Sequence, residues 1–409
     1  MRDLQRRAGL HRREFLRQGA AAGLGLGLLP LAPVEALAAE PPRIRRQVRL
    51  GRTGLEVSDI GFGSSRLSGD EALVQHALDR GITYFDTAAG YTGGRSEETL
   101  GRALRGHRDR VTLVSKVKTR PTSSRTELMR ALEGSLGRLQ TDRLDVYFSH
   151  AVNDVARLEN PEWAEFVSRA KQQGKIRYSG LSGHGGRLAA CLEYALDHDL
   201  VDVILVAFNF GQDPGFASRF LDRFDFIALQ PELPRMLARA RSQDVGVVAM
   251  KTLMGAKLND MRPWEANGAT FAQAAFRWVL STPNVDSLIV TMKSPERVDE
   301  YVAASGAAPG TPDVSLLRRY LARHGDTQCR YGCSACADAC PAGVPISDVL
   351  RTRMYAQDYG DLELARSDYA LLARDAAACL SCTATPCAGA CPHGIPIERL
   401  TVPTHRELG

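Results

Sequence analysis

Lysine is scarce in this chain: seven of 409 residues, against 45 Arg. Tryptophan occurs three times and methionine eight times. Cysteine is nearly absent from the first 328 residues, where Cys191 stands alone. No basic run carries interleaved aromatics, which argues against a nucleic-acid surface. The uncharged stretch 19–34 is Gly-rich and 16 residues long, short of the roughly 20 that a membrane-spanning helix needs. A stable membrane span is therefore not expected. No convincing glycine fingerprint follows an early strand, which counts against a doubly wound sheet. Gly61-Phe62-Gly63 is an isolated glycine pair and reads as a tight turn. What is present is ordinary for a globular protein: 44% apolar and 24% charged residues, with a net charge of +5. Those values exclude a disordered, collagenous or polytopic membrane chain. The length suffices for a large core and more than one average domain.

Residues 1–39 read as an address. Arg2, Arg6, Arg7, Arg12, Arg13 and Arg17 precede the uncharged stretch, and Ala36-Leu37-Ala38 forms a small-x-small cleavage site. This is the order of a signal peptide. The stretch His11-Arg12-Arg13-Glu14-Phe15-Leu16-Arg17 resembles the twin-arginine export signal. His11 stands where that motif usually has Ser or Thr. The resemblance implies passage through the twin-arginine machinery to the periplasm as a folded chain, its cofactors already inserted. An amphipathic tail or an uncleaved anchor stays open as an alternative.

Residues 46–304 alternate short apolar runs with helical periodicity. Strands are expected at 58–63, 83–86, 111–115, 144–150, 176–182, 203–208, 245–250 and 287–290. Helices are expected between them at 71–80, 97–104, 126–139, 161–173, 187–198, 233–243 and 270–280, with a last one at 295–303. Eight strand–helix units in about 260 residues is the arithmetic of a (β/α)₈ barrel. Before the first strand, 47–50 and 55–57 read as a hairpin across the barrel floor.

Reacting groups of such barrels sit at the C-terminal ends of strands. The second expected strand ends at Asp86, with Tyr91 in the loop beyond. Lys116 and His150 stand at the ends of the third and fourth. Reducing a carbonyl with hydride leaves an alkoxide that needs a proton, and Tyr91 can supply it. A nearby ammonium, Lys116, makes the phenol a better acid, and Asp86 can hold that ammonium in place. His150 can orient the substrate oxygen.

The stretch Phe85-Asp86-Thr87-Ala88-Ala89-Gly90-Tyr91, then Ser96-Glu97, Leu100-Gly101, Lys116 and His150, resembles the aldo-keto reductases across the whole barrel. The resemblance implies hydride transfer between a nicotinamide nucleotide, NADP(H) or NAD(H), and a small carbonyl or alcohol. It makes Asp86, Tyr91, Lys116 and His150 the catalytic set. It also implies nucleotide contacts at Ser182, Asn209, Lys251, Leu253, Gly255, Lys293, Ser294 and Arg297. The family's strand-5 Asn is missing after Ser182, where Gly183 and His184 follow, and Leu205 aligns with the family's strand-6 Gln. Simple helix capping is the competing reading of Ser294 and Pro295.

The other eight cysteines form two quartets: Cys329, Cys333, Cys336 and Cys340, then Cys379, Cys382, Cys387 and Cys391. Each ends in Cys-Pro, followed by Gly, an apolar residue and Pro-Ile. The repeat resembles bacterial ferredoxin-type motifs and implies two [4Fe–4S] clusters, with Cys340 joining the second trio and Cys391 the first. Disulfides or zinc are the alternatives. Helical stretches at 314–323, 347–356 and 362–374 make residues 311–409 a mostly helical domain. Cys191 reads as a small buried apolar residue. The combined expectation is an exported oxidoreductase whose clusters pass electrons to a redox partner protein. Two rivals stay open: an electron-transfer protein whose barrel is a binding scaffold, and an ordinary reductase with structural clusters. The segment 211–231 carries no group diagnostic of a substrate.

Overall fold

The computed structural model describes residues 40–184, 187–212, 232–253, 262–265, 270–324, 335–357, 362–392 and 394–409. The expected signal segment 1–39, Gly255, Cys329 and Cys333 lie outside them.

The chain enters through an antiparallel hairpin, β1 (Gln47–Arg49) and β2 (Glu56–Ser58). Eight parallel strands follow and close into a barrel: β3 (Ile60–Gly63), β4 (Tyr84–Asp86), β5 (Thr112–Val117), β6 (Leu144–Ser149), β7 (Ile176–Gly183), β8 (Val203–Ala207), β9 (Gly246–Met250) and β10 (Ser287–Thr291). β10 pairs with β3, so the barrel has no open edge. The barrel expected from the strand–helix periodicity is the one observed.

The helices carry the apolar outer core. α1 (Glu71–Asp79), α2 (Arg95–Ala103), α3 (Arg125–Leu139), α4 (Pro161–Gln172), α5 (Leu188–Asp197), α6 (Leu233–Ser242), α7 (Phe271–Leu280) and α8 (Pro295–Val302) follow successive strands. Several starts are chemically marked. Ser124 and Glu127 form a reciprocal capping box on α3, and Asn160 caps α4 with Pro161 at its first position. Cys191 is fully buried on α5 among core residues.

Inside the barrel, Tyr84, Val114, Val146, Phe148, Val203, Leu205, Val248 and Ile289 pack with Leu50, Leu55 and Val57 of the hairpin. The hairpin therefore plugs the N-terminal end and leaves the other end for a site. Gly61 and Gly63 are not a turn, as their spacing suggested, but lie within β3. A Cβ at Gly61 would meet the Tyr84 ring at 2.8 Å, and one at Gly63 the Val290 backbone at 2.9 Å. At Gly180 on β7 an added Cβ would be tighter still, 1.9 Å from the Val203 carbonyl oxygen. Replacing Gly180 by Ala is expected to cost about 3 kcal/mol of stability through overpacking. Urea unfolding measures it, and a loss below about 1 kcal/mol would show that the two strands separate easily.

Beyond the barrel come α9 (Thr311–His324), α10 (Ala335–Asp338), α11 (Ile346–Gln357), α12 (Leu362–Tyr369), α13 (Pro386–Ala390) and α14 (Ile397–Leu408). α9 packs on α7 through Leu316, Leu317 and Tyr320 against Phe210 and Phe271, and Arg277 pairs with Asp313 at 3.1 Å. The rest has an apolar core of its own, built on Val344, Ile346, Val349, Leu350, Tyr355, Tyr369 and Ile397. The expected helix 362–374 stops at Tyr369, whose hydroxyl accepts from the Ala376 amide and folds the chain back. Among the described residues no helix is long and apolar enough to cross a membrane.

Candidate active site

Three adjacent strands deliver the four expected catalytic residues to the open end of the barrel. Asp86 is the last residue of β4, and His150 directly follows β6. Lys116 lies inside β5, one residue before its end, because that strand runs two residues further than its apolar run indicated. Lys116 Nζ donates to Asp86 Oδ1 at 2.6 Å and to the Thr87 carbonyl at 2.7 Å. Both side chains of the pair are 1% exposed. Tyr91 opens the short helical turn Tyr91–Gly94, and its amide bonds the Ala88 carbonyl. Lys116 Nζ stands 4.9 Å from the centre of the Tyr91 ring. The His150 ring meets the same ring edge-on, with centroids 5.7 Å apart.

The electrostatics follow from burial. Burial pushes the Lys116 ammonium below its ordinary value, while the Asp86 and Glu97 charges push it back up. Glu97 is fully buried, accepts from Ser115 Oγ at 2.5 Å and pairs with Arg138 Nε at 2.7 Å. Burial, with Lys116, Lys118, Arg157 and Lys251 nearby, holds His150 well below the usual imidazole range, so its ring is neutral.

Strained backbone surrounds the site. Thr92 after Tyr91, Ala151 after His150, and Lys251 after β9 adopt left-handed φ values of 50°, 51° and 56°. Each such residue costs roughly 1–2 kcal/mol. Arg157 braces one of these turns by donating to the His150 and Ala151 carbonyls at 2.6 and 2.8 Å. Neither Arg157 nor this strain has a local sequence signature.

The expected nucleotide contacts divide. Asn209 is fully buried, and its Oδ1 accepts from the Gly211 amide at 3.0 Å. Its Nδ2 has no hydrogen-bond partner among the described residues. Ser182 Oγ accepts from the Ala151 amide at 3.0 Å and so ties the strained turn to β7. Leu253 is half-buried against the barrel core. Ser294 caps α8, accepting from the Arg297 amide at 3.4 Å, and Arg297 pairs with Glu300. Lys293 is exposed beside them. Lys251 reaches across the mouth to residues 311–409, its Nζ 4.4 Å from the centre of the Tyr355 ring.

Cys336, Cys340, Cys379, Cys387 and Cys391 belong to one apolar core, and Cys382 is exposed. No disulfide joins the described cysteines. Burial raises the Cys379 and Cys387 thiols, and Cys340 lies close enough to add to both. Among the described residues, no group of three or more His, Cys, Asp or Glu is gathered to hold a metal ion.

Residues 59–262 match the Aldo/keto reductase family model. The barrel is an aldo/keto reductase family domain. The chain is accordingly an oxidoreductase of that type. L-galactose dehydrogenase of Arabidopsis thaliana is 28% identical over 295 residues, 62% of this chain and 86% of that protein. L-glyceraldehyde 3-phosphate reductase of Escherichia coli O157:H7 is 25% identical over 325 residues, 66% of this chain and 91% of that protein. An aldo/keto reductase of Klebsiella pneumoniae, solved in complex with NADP and acetate, is 29% identical with a TM-score of 0.53. It covers 68% of this chain and 95% of its own.

Proposed function

We propose that the aldo/keto reductase domain moves hydride between NADP(H) or NAD(H) and a small carbonyl or alcohol. The observation that carries this reading is the buried Asp86–Lys116 pair set beside Tyr91 and His150. The residues present fit a nicotinamide nucleotide. A fully buried Asn209 with an unsatisfied Nδ2 is a donor in wait of a carbonyl acceptor, and leaving it so costs free energy. Asn209 and Ser182 would hold the nicotinamide, and Lys251, Leu253 and Gly255 would meet the pyrophosphate. Lys293, Ser294 and Arg297 would meet the adenosine phosphate. When bound, the nucleotide supplies the hydride.

This chain's residues manage the proton. Tyr91 gives its phenolic proton to the oxygen of the carbonyl as the carbon gains hydride, and takes it back in alcohol oxidation. The Lys116 ammonium lowers the energy of the resulting phenolate. Asp86 keeps that ammonium charged and aimed. The neutral His150 ring donates a hydrogen bond to the substrate oxygen and orients it.

Residues 311–409 are proposed as a domain holding two [4Fe–4S] clusters that exchange electrons with a redox partner protein. Thiolates are soft donors suited to iron, and Cys340 beside Cys379 and Cys387 suits ligand exchange between the quartets. Protein purified without oxygen is expected to be brown, with about eight iron and eight sulfide ions per chain. A colourless, iron-free protein would overturn this half of the proposal.

Export by the twin-arginine route to the periplasm is the third part. Replacing Arg12 and Arg13 by Lys is expected to leave the protein in the cytoplasm. Normal export and processing of that variant would contradict it.

A further inference from the structure

His184 directly follows β7 at the barrel mouth and is 8% exposed. Its Nδ1 meets Tyr355 Oη at 2.5 Å, and the two rings stand edge to face with centroids 4.8 Å apart. Tyr355 is 1% exposed and belongs to α11, beyond the barrel. Residues 311–409 thus reach the reaction end of the barrel with a phenol.

The direction of that hydrogen bond follows from acidity. A phenol is the better donor and a neutral imidazole nitrogen the better acceptor, so Tyr355 donates to Nδ1. The Lys251 ammonium over the phenol ring strengthens the donor. The ring accepting at Nδ1 carries its proton on Nε2. Burial, with Lys251, His150, Arg351 and Lys118 nearby, keeps His184 neutral. His150 follows β6 and His184 follows the neighbouring, paired β7, so the two imidazoles stand at the same rim. His184 Nε2 has no hydrogen-bond partner among the described residues.

We propose that Tyr355 is a positioning residue that presents His184 Nε2–H to a second oxygen of the substrate, next to the carbonyl oxygen taken by Tyr91 and His150. The substrate class is then a carbonyl compound carrying a hydroxyl or carboxylate near the reacting carbon. This rests on the reductase reading above. A donor on a residue only 8% exposed is satisfied by such a substrate and left to water by a plain alkanal, which gives a basis for discrimination.

The test compares D,L-glyceraldehyde with propanal in the full-length protein. Tyr355→Phe removes the hydroxyl and keeps the ring. It is expected to lower kcat/KM for glyceraldehyde about tenfold, mainly through KM, and to leave propanal and the affinity for NADPH unchanged. In ¹⁵N-histidine spectra, His184 is expected as the Nε2–H tautomer in the wild type and as a mixture in the variant. If Tyr355→Phe unfolds the chain, His184→Leu tests the same selective loss with Tyr355 kept. Equal losses for both aldehydes, weaker NADPH binding, or an Nδ1–H tautomer in the wild type would overturn the proposal. Wild-type protein that binds NADPH and reduces neither aldehyde counts against the reductase reading, and the tautomer then decides the role of Tyr355 alone.

Discussion

Replacing Tyr91 by Phe is expected to lower kcat by about 10²–10⁴, the range for a lost general acid. The ring that His150 and Lys116 face, at 5.7 and 4.9 Å, is kept. Only the O–H is lost. Neither neighbour replaces it. Lys116 commits two donors to Asp86 and Thr87, and burial holds His150 neutral. Nucleotide affinity, read by NADPH fluorescence, should stay within about twofold, because the phenol acts in the chemical step and not in uniform binding. Turnover near wild type would remove Tyr91 from the reaction and favour a barrel that only binds.

Replacing Lys116 by Met is expected to lower stability by about 3–5 kcal/mol, the loss typical when one partner of a buried ion pair is removed. An ionised Asp86 would then have 1% exposure and no counter-ion, and its Oδ2 already lacks a partner among the described residues. The pH dependence has a definite sign. Burial already raises Asp86 above the ordinary carboxylate value, and in the variant the opposing Lys116 charge is gone. A carboxyl whose folded-state pKa is raised destabilises the fold as pH climbs through its unfolded value of about 3.9 toward the folded one. The deficit of the variant should therefore be large at pH 7 and shrink near pH 3.5. Adding Asp86→Asn should recover much of it. Urea unfolding at the two pH values measures all three effects. A deficit that is small or flat with pH would show that water reaches the pair.

The barrel was legible because its signals are local. Each strand is an apolar run of a few residues, and each helix shows its own period, with side-chain caps on α1, α3, α4, α7 and α8. The placement of Asp86, Tyr91, Lys116 and His150 at one rim could be read for the same reason, since strand ends fix where a barrel puts its chemistry. The glycine pair in β3 misled because Gly-x-Gly marks either a turn or a strand packed against bulky neighbours, and only the Tyr84 ring and the Val290 backbone decide between them. The helix at 362–374 was overextended because the Tyr369 hydroxyl, which stops it, acts on an amide across the turn. The His184–Tyr355 pair is separated by 171 residues and has no pattern along the chain. Arg157 and the left-handed turns at Ala151 and Lys251 are likewise set by what surrounds them. In the other direction, the two cysteine quartets are clear in sequence, while Cys329 and Cys333 lie outside the described residues.

In the proposed reaction, hydride passes directly between nucleotide and carbon in the barrel, with Tyr91 handling the proton. Single-turnover reduction of glyceraldehyde by the oxygen-free full-length protein, loaded with NADPH deuterated at the transferable C4 position, tests this most directly. One deuterium is expected on the former carbonyl carbon of the alcohol product, and none from deuterated water at that carbon. Nucleotide oxidation without alcohol, or alcohol whose new carbon-bound hydrogen comes from water, would contradict it.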